Sequence, residues 1–347
     1  MAGITGHLIR ITANKIPVTV KTIRNINIAE TRSAFSMMQN NGICCYIDIL
    51  GFSNFVKEDP RGAIYLMQNY QTQIDHIIQE TRADEYLTPY KRDSFKYFIP
   101  FSDSIFLYSE KPSEFVMQLA DFINGSFSFT SNAFANSEDK LHPENITEKS
   151  FEIQEGKAIT KLHSAKWYPL LFRGGVGFGD ASVQELHAIH DGKKVLTPFV
   201  FGNSVIEAVK CEQIGVKGPR ILCSAEFYEL LNERAKQIVH PAFDMKGLYE
   251  INWTAVHYLM TDDLNDWFVD QPLLNDFYLN QLVPAANLWR AYNHLTVAPH
   301  YYNFLKLIVR GVQHYFYGTS YQTKANEFIT DYLKKENLGD KAHDLML

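Results

Sequence analysis

Several features are missing from this 347-residue sequence, and each absence excludes something. No apolar run approaches the length of a membrane span, and none near the start resembles a secretory core. Arg10, Lys15, Lys21 and Arg24 also interrupt the opening stretch. The chain therefore reads as cytoplasmic, with no membrane span. An excess of positive charge is lacking too: the net charge is −6, which argues against a general nucleic-acid binder. Cysteine is scarce, with only Cys44, Cys45, Cys211 and Cys223, and no CxxC pair. Structural zinc is thus not expected, and the thiols read as buried and reduced. No internal repeat is visible. The glycine-rich Gly174–Gly179 stretch has neither the following helix nor the distal acid of a dinucleotide fingerprint.

What is present suits a full hydrophobic core: 46% apolar residues, 21% charged, 24 Phe and 19 Tyr. Apolar runs predict strands at Ile43–Ile49, Leu170–Phe178, Val195–Phe201 and Arg220–Ser224, and a hairpin of Phe95–Ile99 with Ser104–Tyr108. Helical spacing marks Arg61–Thr81, Pro112–Ala133, Ser204–Ile214 and Ala225–Ala235. The polar stretch Asn136–Glu155 reads as an exposed insertion. His187 and His190 have HxxH spacing, lack an apparent third ligand and read as loop residues. Phe243–Trp253 contains a Lys246–Gly247 turn within a strand pair. Beyond Val256, aromatic helical stretches such as Leu288–His294 and Tyr301–Tyr317 take over. The expected fold is α+β, a mixed or antiparallel sheet covered by helices, with a helical C-terminal extension. The expected division is an N-terminal segment (1–41), a central domain (42–255) and the extension (256–347).

Two aspartates stand out because each lies in an apolar segment. Asp48 sits in Cys45-Tyr46-Ile47-Asp48-Ile49-Leu50-Gly51-Phe52, and Asp103 in Ile99-Pro100-Phe101-Ser102-Asp103-Ser104-Ile105. A carboxylate among core residues is costly unless something compensates it. Two of them brought together would suit a hard divalent cation, which takes carboxylates and phosphate oxygens. Taken singly, each has an ordinary reading as well, Asp48 as a helix cap and Asp103 as a turn residue.

The order of the parts carries more than any one of them. An apolar strand with Asp, a Gly-Phe turn and a helix come first. A hairpin with Asp, an Arg173-Gly174-Gly175 strand, Phe201-Gly202-Asn203-Ser204 opening a helix, and a late Lys-Gly turn follow. Over Gly42–Trp253 this arrangement resembles the class III nucleotidyl cyclase catalytic domain. The resemblance implies that Asp48, Asp103 and the Ile49 carbonyl hold two Mn²⁺ or Mg²⁺ ions per site. It assigns the triphosphate to the backbone N–H groups of Leu50, Gly51, Phe52 and Ser53, in keeping with the anion preference of helix N-termini. Lys246 matches the family's phosphate-binding lysine, and Arg173 has two readings, a phosphate ligand or the partner of a surface acid. The family works as a head-to-tail homodimer, so Asn203, Lys210 and Lys246 would reach the site from the second subunit.

The departures bear on the substrate. The purine-reading position four residues before the second aspartate is Ile99, which cannot hydrogen-bond a base edge. The other base-reading position is Asn203. The family's Asn-x-x-x-Arg pair falls on Ile206 and Lys210, and Lys210 keeps the charge without the bidentate fork. Both aspartates and Lys246 persist, which favours a changed base over decay. The chain is most similar to the pyrimidine cyclases of bacterial anti-phage (Pycsar-type) systems. That likeness implies conversion of UTP, or CTP, to a 3′,5′-cyclic monophosphate that activates a separate effector. Two alternatives stay open: a purine cyclase with an unusual pocket, and an inactive nucleotide-binding or dimerisation module.

Overall fold

The computed structural model describes residues 40–83, 94–136, 145–154, 157–166, 168–190, 192–260 and 277–346. Nearly all of the N-terminal segment (1–41) lies outside them. Strand β1 (Asn40–Ile49) leads into two helices, α1 (Phe52–Glu58) and α2 (Pro60–Ala83). The hairpin β2 (Tyr97–Phe101) and β3 (Ser104–Ser109) and the helix α3 (Pro112–Asn136) come next. A separate hairpin, β4 (Asn145–Gln154) with β5 (Lys157–Lys166), follows. Then come β6 (Phe172–His190), β7 (Lys193–Phe201), α4 (Asn203–Gln213) and β8 (Ile221–Ser224). Two short helices, α5 (Ala225–Glu229) and α6 (Glu233–Lys236), precede β9 (Val239–Pro241) and β10 (Leu248–Ile251). The tail holds α7 (Val283–Tyr292), α8 (Ala298–Tyr315), α9 (Gln322–Lys335) and α10 (Ala342–Met346).

The fold is α+β, built on an eight-stranded mixed sheet in the order β2-β3-β1-β6-β8-β10-β9, with β7 on the outer half of β6. Among the described strands of this sheet, β6 and β8 pair in parallel and the other neighbours are antiparallel. Period-two alternation divides β1 between two faces. Ile43, Cys45, Ile47 and Ile49 enter the main core, while Cys44 and Tyr46 belong to a smaller cluster under α4. All four cysteines are buried free thiols, and burial pushes Cys44 and Cys211 each up to about 11.

The main core does not stop at the sheet. Leu66, Phe122 and Trp253 share one buried cluster with Phe304, Leu333 and Leu345. Residues 39–347 form one compact unit, so the tail is a helical layer of the same body rather than an attachment to it. Trp253 is fully buried between Phe127 and Phe304, and its indole N–H donates to the Pro219 carbonyl at 2.8 Å. Along the aromatic stripe from Trp289 to Phe316, Phe304 and Phe316 are buried, and Trp289, Tyr292, Tyr301, Tyr302 and Tyr315 are half-buried and pack against the main core.

The polar stretch after α3 departs from the sequence reading: within Asn136–Glu155, residues 145–154 form β4, paired with β5. Charged residues interrupt the apolar alternation there, so the strand is not evident from its own sequence. His187 and His190 also lie on a strand, opposite Leu196 and Lys193 in the β6–β7 ladder. The helix expected over Ala225–Ala235 is two short helices. Ser224 and Asn232 cap them separately, accepting from the Phe227 and Ala235 N–H groups.

The glycines of β6 have a packing purpose. A Cβ on Gly175 would lie 2.2 Å from the Ala208 carbonyl oxygen, and one on Gly177 would lie 2.2 Å from that of Ser204. Helix α4 therefore rests directly on strand backbone, where no side chain fits. Gly175→Ala is expected to cost about 1–3 kcal/mol through this overpacking. Urea unfolding should show a lower midpoint at unchanged slope. Unaltered stability would mean that α4 can lift off the sheet without penalty.

Candidate functional site

Asp48 and Asp103 meet because β1 and β3 are neighbours in the sheet. Asp48 stands opposite Ser104 in the ladder, and the Ile49 N–H donates to the Asp103 carbonyl at 2.9 Å. Asp103 occupies the two-residue β2–β3 turn, next to Ser102, whose φ of 56° is left-handed. A non-glycine residue held there stores on the order of 1 kcal/mol or more of strain. The Asp48 side chain is only 17% exposed. Burial raises its carboxyl above the ordinary value against the opposing pull of Arg173, and repulsion from Asp103 adds to the rise.

Arg173 faces Asp48 across the β1–β6 pair. Its Nε donates to Asp48 Oδ1 at 3.0 Å and its Nη2 to Oδ2 at 3.2 Å, a bidentate fork. The same Nη2 lies 3.1 Å from Glu212 Oε1 on α4. One guanidinium thus serves two acids. Its pKa is raised, chiefly by the hydrogen bond to Asp48, while burial raises Glu212. Sequence reasoning left Arg173 between phosphate and a surface acid and passed over both Asp48 and Glu212 as its partners. Only the close seating of α4 on Gly175 and Gly177 brings Glu212 to the strand end.

The turn after β1 needs Gly51, whose φ of 81° is left-handed. Of the four N–H groups assigned to a triphosphate, that of Leu50 is already used, donating to the Leu171 carbonyl at 2.7 Å. The assignment therefore narrows to Gly51, Phe52 and Ser53. Beside this turn lies a cavity of about 670 Å³, lined by Gly51, Ser53 and Arg173 on one side. His294, Thr296 and His300 of the tail line the other.

The remaining candidates lie elsewhere. Ile99 pairs with Phe106, which in turn pairs with Tyr46, and these half-buried side chains share the Asp48 face of the sheet. Tyr46 and Phe106 have ring centroids 4.7 Å apart. They make an apolar surface beside the aspartates that the sequence reading did not single out. Asn203 opens α4 and donates to Asp180, which pairs with Asn41 at the start of β1. That is roughly 20–25 Å along β1 from Asp48. Lys246 is exposed in the β9–β10 turn. This turn lies at the Leu248 end of β10, whereas the Ile251 end adjoins Ile221 and Gly174 near Arg173. Lys210 is exposed on α4 between the two ends. Within one chain, then, Asp48, Ile49, Asp103 and Arg173 gather at one end of the sheet, and Asn203 and Lys246 stand at the other.

Among the described residues no group of three or more His, Cys, Asp or Glu side chains is placed to hold a metal ion. No described helix is long and apolar enough to cross a membrane. No family model matches the chain, and no curated protein matches it.

Proposed function

We propose that the chain is a class III-like nucleotide cyclase that closes UTP, or CTP, to the 3′,5′-cyclic monophosphate and releases pyrophosphate. Its product would act as a second messenger of bacterial anti-phage defence through a separate effector. One observation carries the reading. Two aspartates far apart in sequence lie on neighbouring strand ends of one sheet, and the arginine that forks onto Asp48 also lines a cavity of ligand size. The donor set of Asp48, Asp103 and the Ile49 carbonyl fits a hard cation, which needs few protein oxygens when phosphate supplies the rest. Mn²⁺ or Mg²⁺, two per site, would supply Lewis-acid activation of a hydroxyl and charge neutralisation at a leaving oxygen.

The chain's own residues supply the rest. Arg173 offsets charge on phosphate oxygens, and the turn at Gly51–Ser53 offers backbone N–H groups at a helix start. Ile99, Tyr46 and Phe106 present an apolar face with no donor for a purine edge beyond the tyrosine hydroxyl, which is held by Ser104. A head-to-tail homodimer would bring the Asn203 and Lys246 end of one subunit to the aspartate end of the other.

A second reading, a nucleotide receptor without turnover, is favoured by the Arg173 fork that engages both Asp48 oxygens. Incubating the protein with each of the four ribonucleoside triphosphates and Mn²⁺ separates the cases. Cyclic product from UTP or CTP alone is the expected result. Product from ATP or GTP alone would make the enzyme a purine cyclase. Binding without product would support the receptor.

A further inference from the structure

The cavity beside Arg173 is half made by the tail, a segment outside the region that resembles a cyclase. We propose that the α7–α8 turn and the start of α8 are the second wall of the substrate site, where His300, aided by His294 and Thr296, donates to the polyphosphate chain of the nucleotide. Taking that chain as part of a nucleoside triphosphate rests on the cyclase reading; the site itself does not.

The first argument is anchoring. The start of α8 is fixed to the segment entering β8. The Gly218 N–H donates to His300 Nδ1 at 3.1 Å, and Asn303 Nδ2 donates to the Lys217 carbonyl at 3.0 Å. Gly218 has a φ of 104°, and a Cβ there would stand 3.0 Å from that of Asn303. This approach is close and leaves little freedom, so the wall is held by hydrogen bonds and not by the turn alone.

The second argument is chemical. A backbone N–H can only donate, so His300 Nδ1 must be the accepting nitrogen. The ring proton then sits on Nε2, and the half-buried imidazole lines the cavity as a neutral donor. Burial, together with Lys217 and Arg173 nearby, holds its pKa down to about 4. A neutral N–H does not compete with Arg173 for the acids, yet it can still serve an anion. Thr296 and His294 are exposed on the same wall. Glu58 is the one acid among the lining residues. Arg173 is already shared by Asp48 and Glu212, so the donors of the tail wall are the groups left for an anion, and a row of donors beside one lining carboxylate suits an elongated polyanion better than a cation.

Inorganic tripolyphosphate, titrated calorimetrically into the full chain with EDTA present, tests the site apart from any metal. The wild type should bind. His300→Asn keeps an acceptor for the Gly218 N–H but removes Nε2–H. It should bind about tenfold or more weakly at an unchanged melting temperature. The exposed double variant H294A/T296A should also weaken binding, and its surface position keeps folding intact. A ¹⁵N shift of His300 Nε2 on adding tripolyphosphate should accompany binding, which a purely structural histidine would not show. If wild type fails to bind, or if His300→Asn and H294A/T296A bind as tightly as wild type, the tail wall is wrong. Turnover with the triphosphate KM unmoved in His300→Asn would overturn it too, while leaving the cyclase reading standing. Tripolyphosphate binding that depends on His300, with no cyclic product from any nucleotide, would sink the cyclase reading alone.

Discussion

Asp48→Asn and Asp103→Ala are each expected to abolish cyclic-nucleotide formation, a loss of at least about 10³-fold. Metal ligation supplies several kcal/mol of charge stabilisation, and each 1.36 kcal/mol is tenfold in rate. Neither change should unfold the protein. Asp103 is a half-exposed turn residue whose structural bond, to the Ile49 N–H, uses its backbone carbonyl. Asp48→Asn loses the ionic part of the Arg173 fork but also removes a buried charge, and Arg173 retains Glu212. Burial outweighs the fork in raising the Asp48 carboxyl, so ionisation of Asp48 weakens folding as pH rises through the raised value. The two effects oppose each other, and the melting temperature should move by only a few degrees. Activity measured as product per unit of folded protein, with circular dichroism as the check, gives the answer. Turnover that survives either substitution would remove the metal-holding role. An inactive parent protein would favour the receptor.

How much of this was legible beforehand depended on whether a feature was local. Strand β1 and the β2–β3 hairpin announce themselves by apolar runs punctuated by Gly51 and a Ser-Asp turn, but such runs do not say which strands pair, and the approach of Asp48 to Asp103 was expected from the family resemblance alone. The Gly174–Gly177 run could be read as strand but not explained, because its reason is the Ala208 and Ser204 backbone across a helix contact. Strand β4 was missed because its sequence is polar, and its pairing with β5 is not marked by an apolar run. The tail's two contributions were invisible as well. Trp253 and Phe304 look like any aromatics until they stack, and His300 becomes a fixed donor only through the Gly218 N–H more than eighty positions away. Spacing shows what one element can do; it does not show which distant backbone group decides a tautomer.

Stability should respond most to Arg220. This side chain is fully buried, forked onto Glu250 at 2.6 and 3.0 Å and onto both oxygens of Asp244 at 2.8 and 2.9 Å. Its guanidinium lies 4.0 Å from the centre of the Phe243 ring. Glu250 is also fully buried, and burial raises its carboxyl against the pull of Arg220. Arg220→Met would leave that carboxylate without its forked partner and is expected to cost about 3–5 kcal/mol in urea unfolding. The loss should depend on pH in a definite direction. Without Arg220 the folded-state pKa of Glu250 rises further. The variant's deficit should therefore be largest at high pH and shrink as acid protonates the group. The double variant R220M/E250L removes both charges and should recover most of the lost stability. It should not recover function. Asp244 lies in the turn that carries Lys246, and the fork from Arg220 adds a side-chain tie to the backbone hydrogen bonds that close this turn onto β10. If Lys246 serves phosphate in a partner subunit, the stable double variant should still show a raised KM for the triphosphate. Normal kinetics in a stable R220M/E250L protein would mean that the turn needs no anchor, and the role given to Lys246 would lose its structural support.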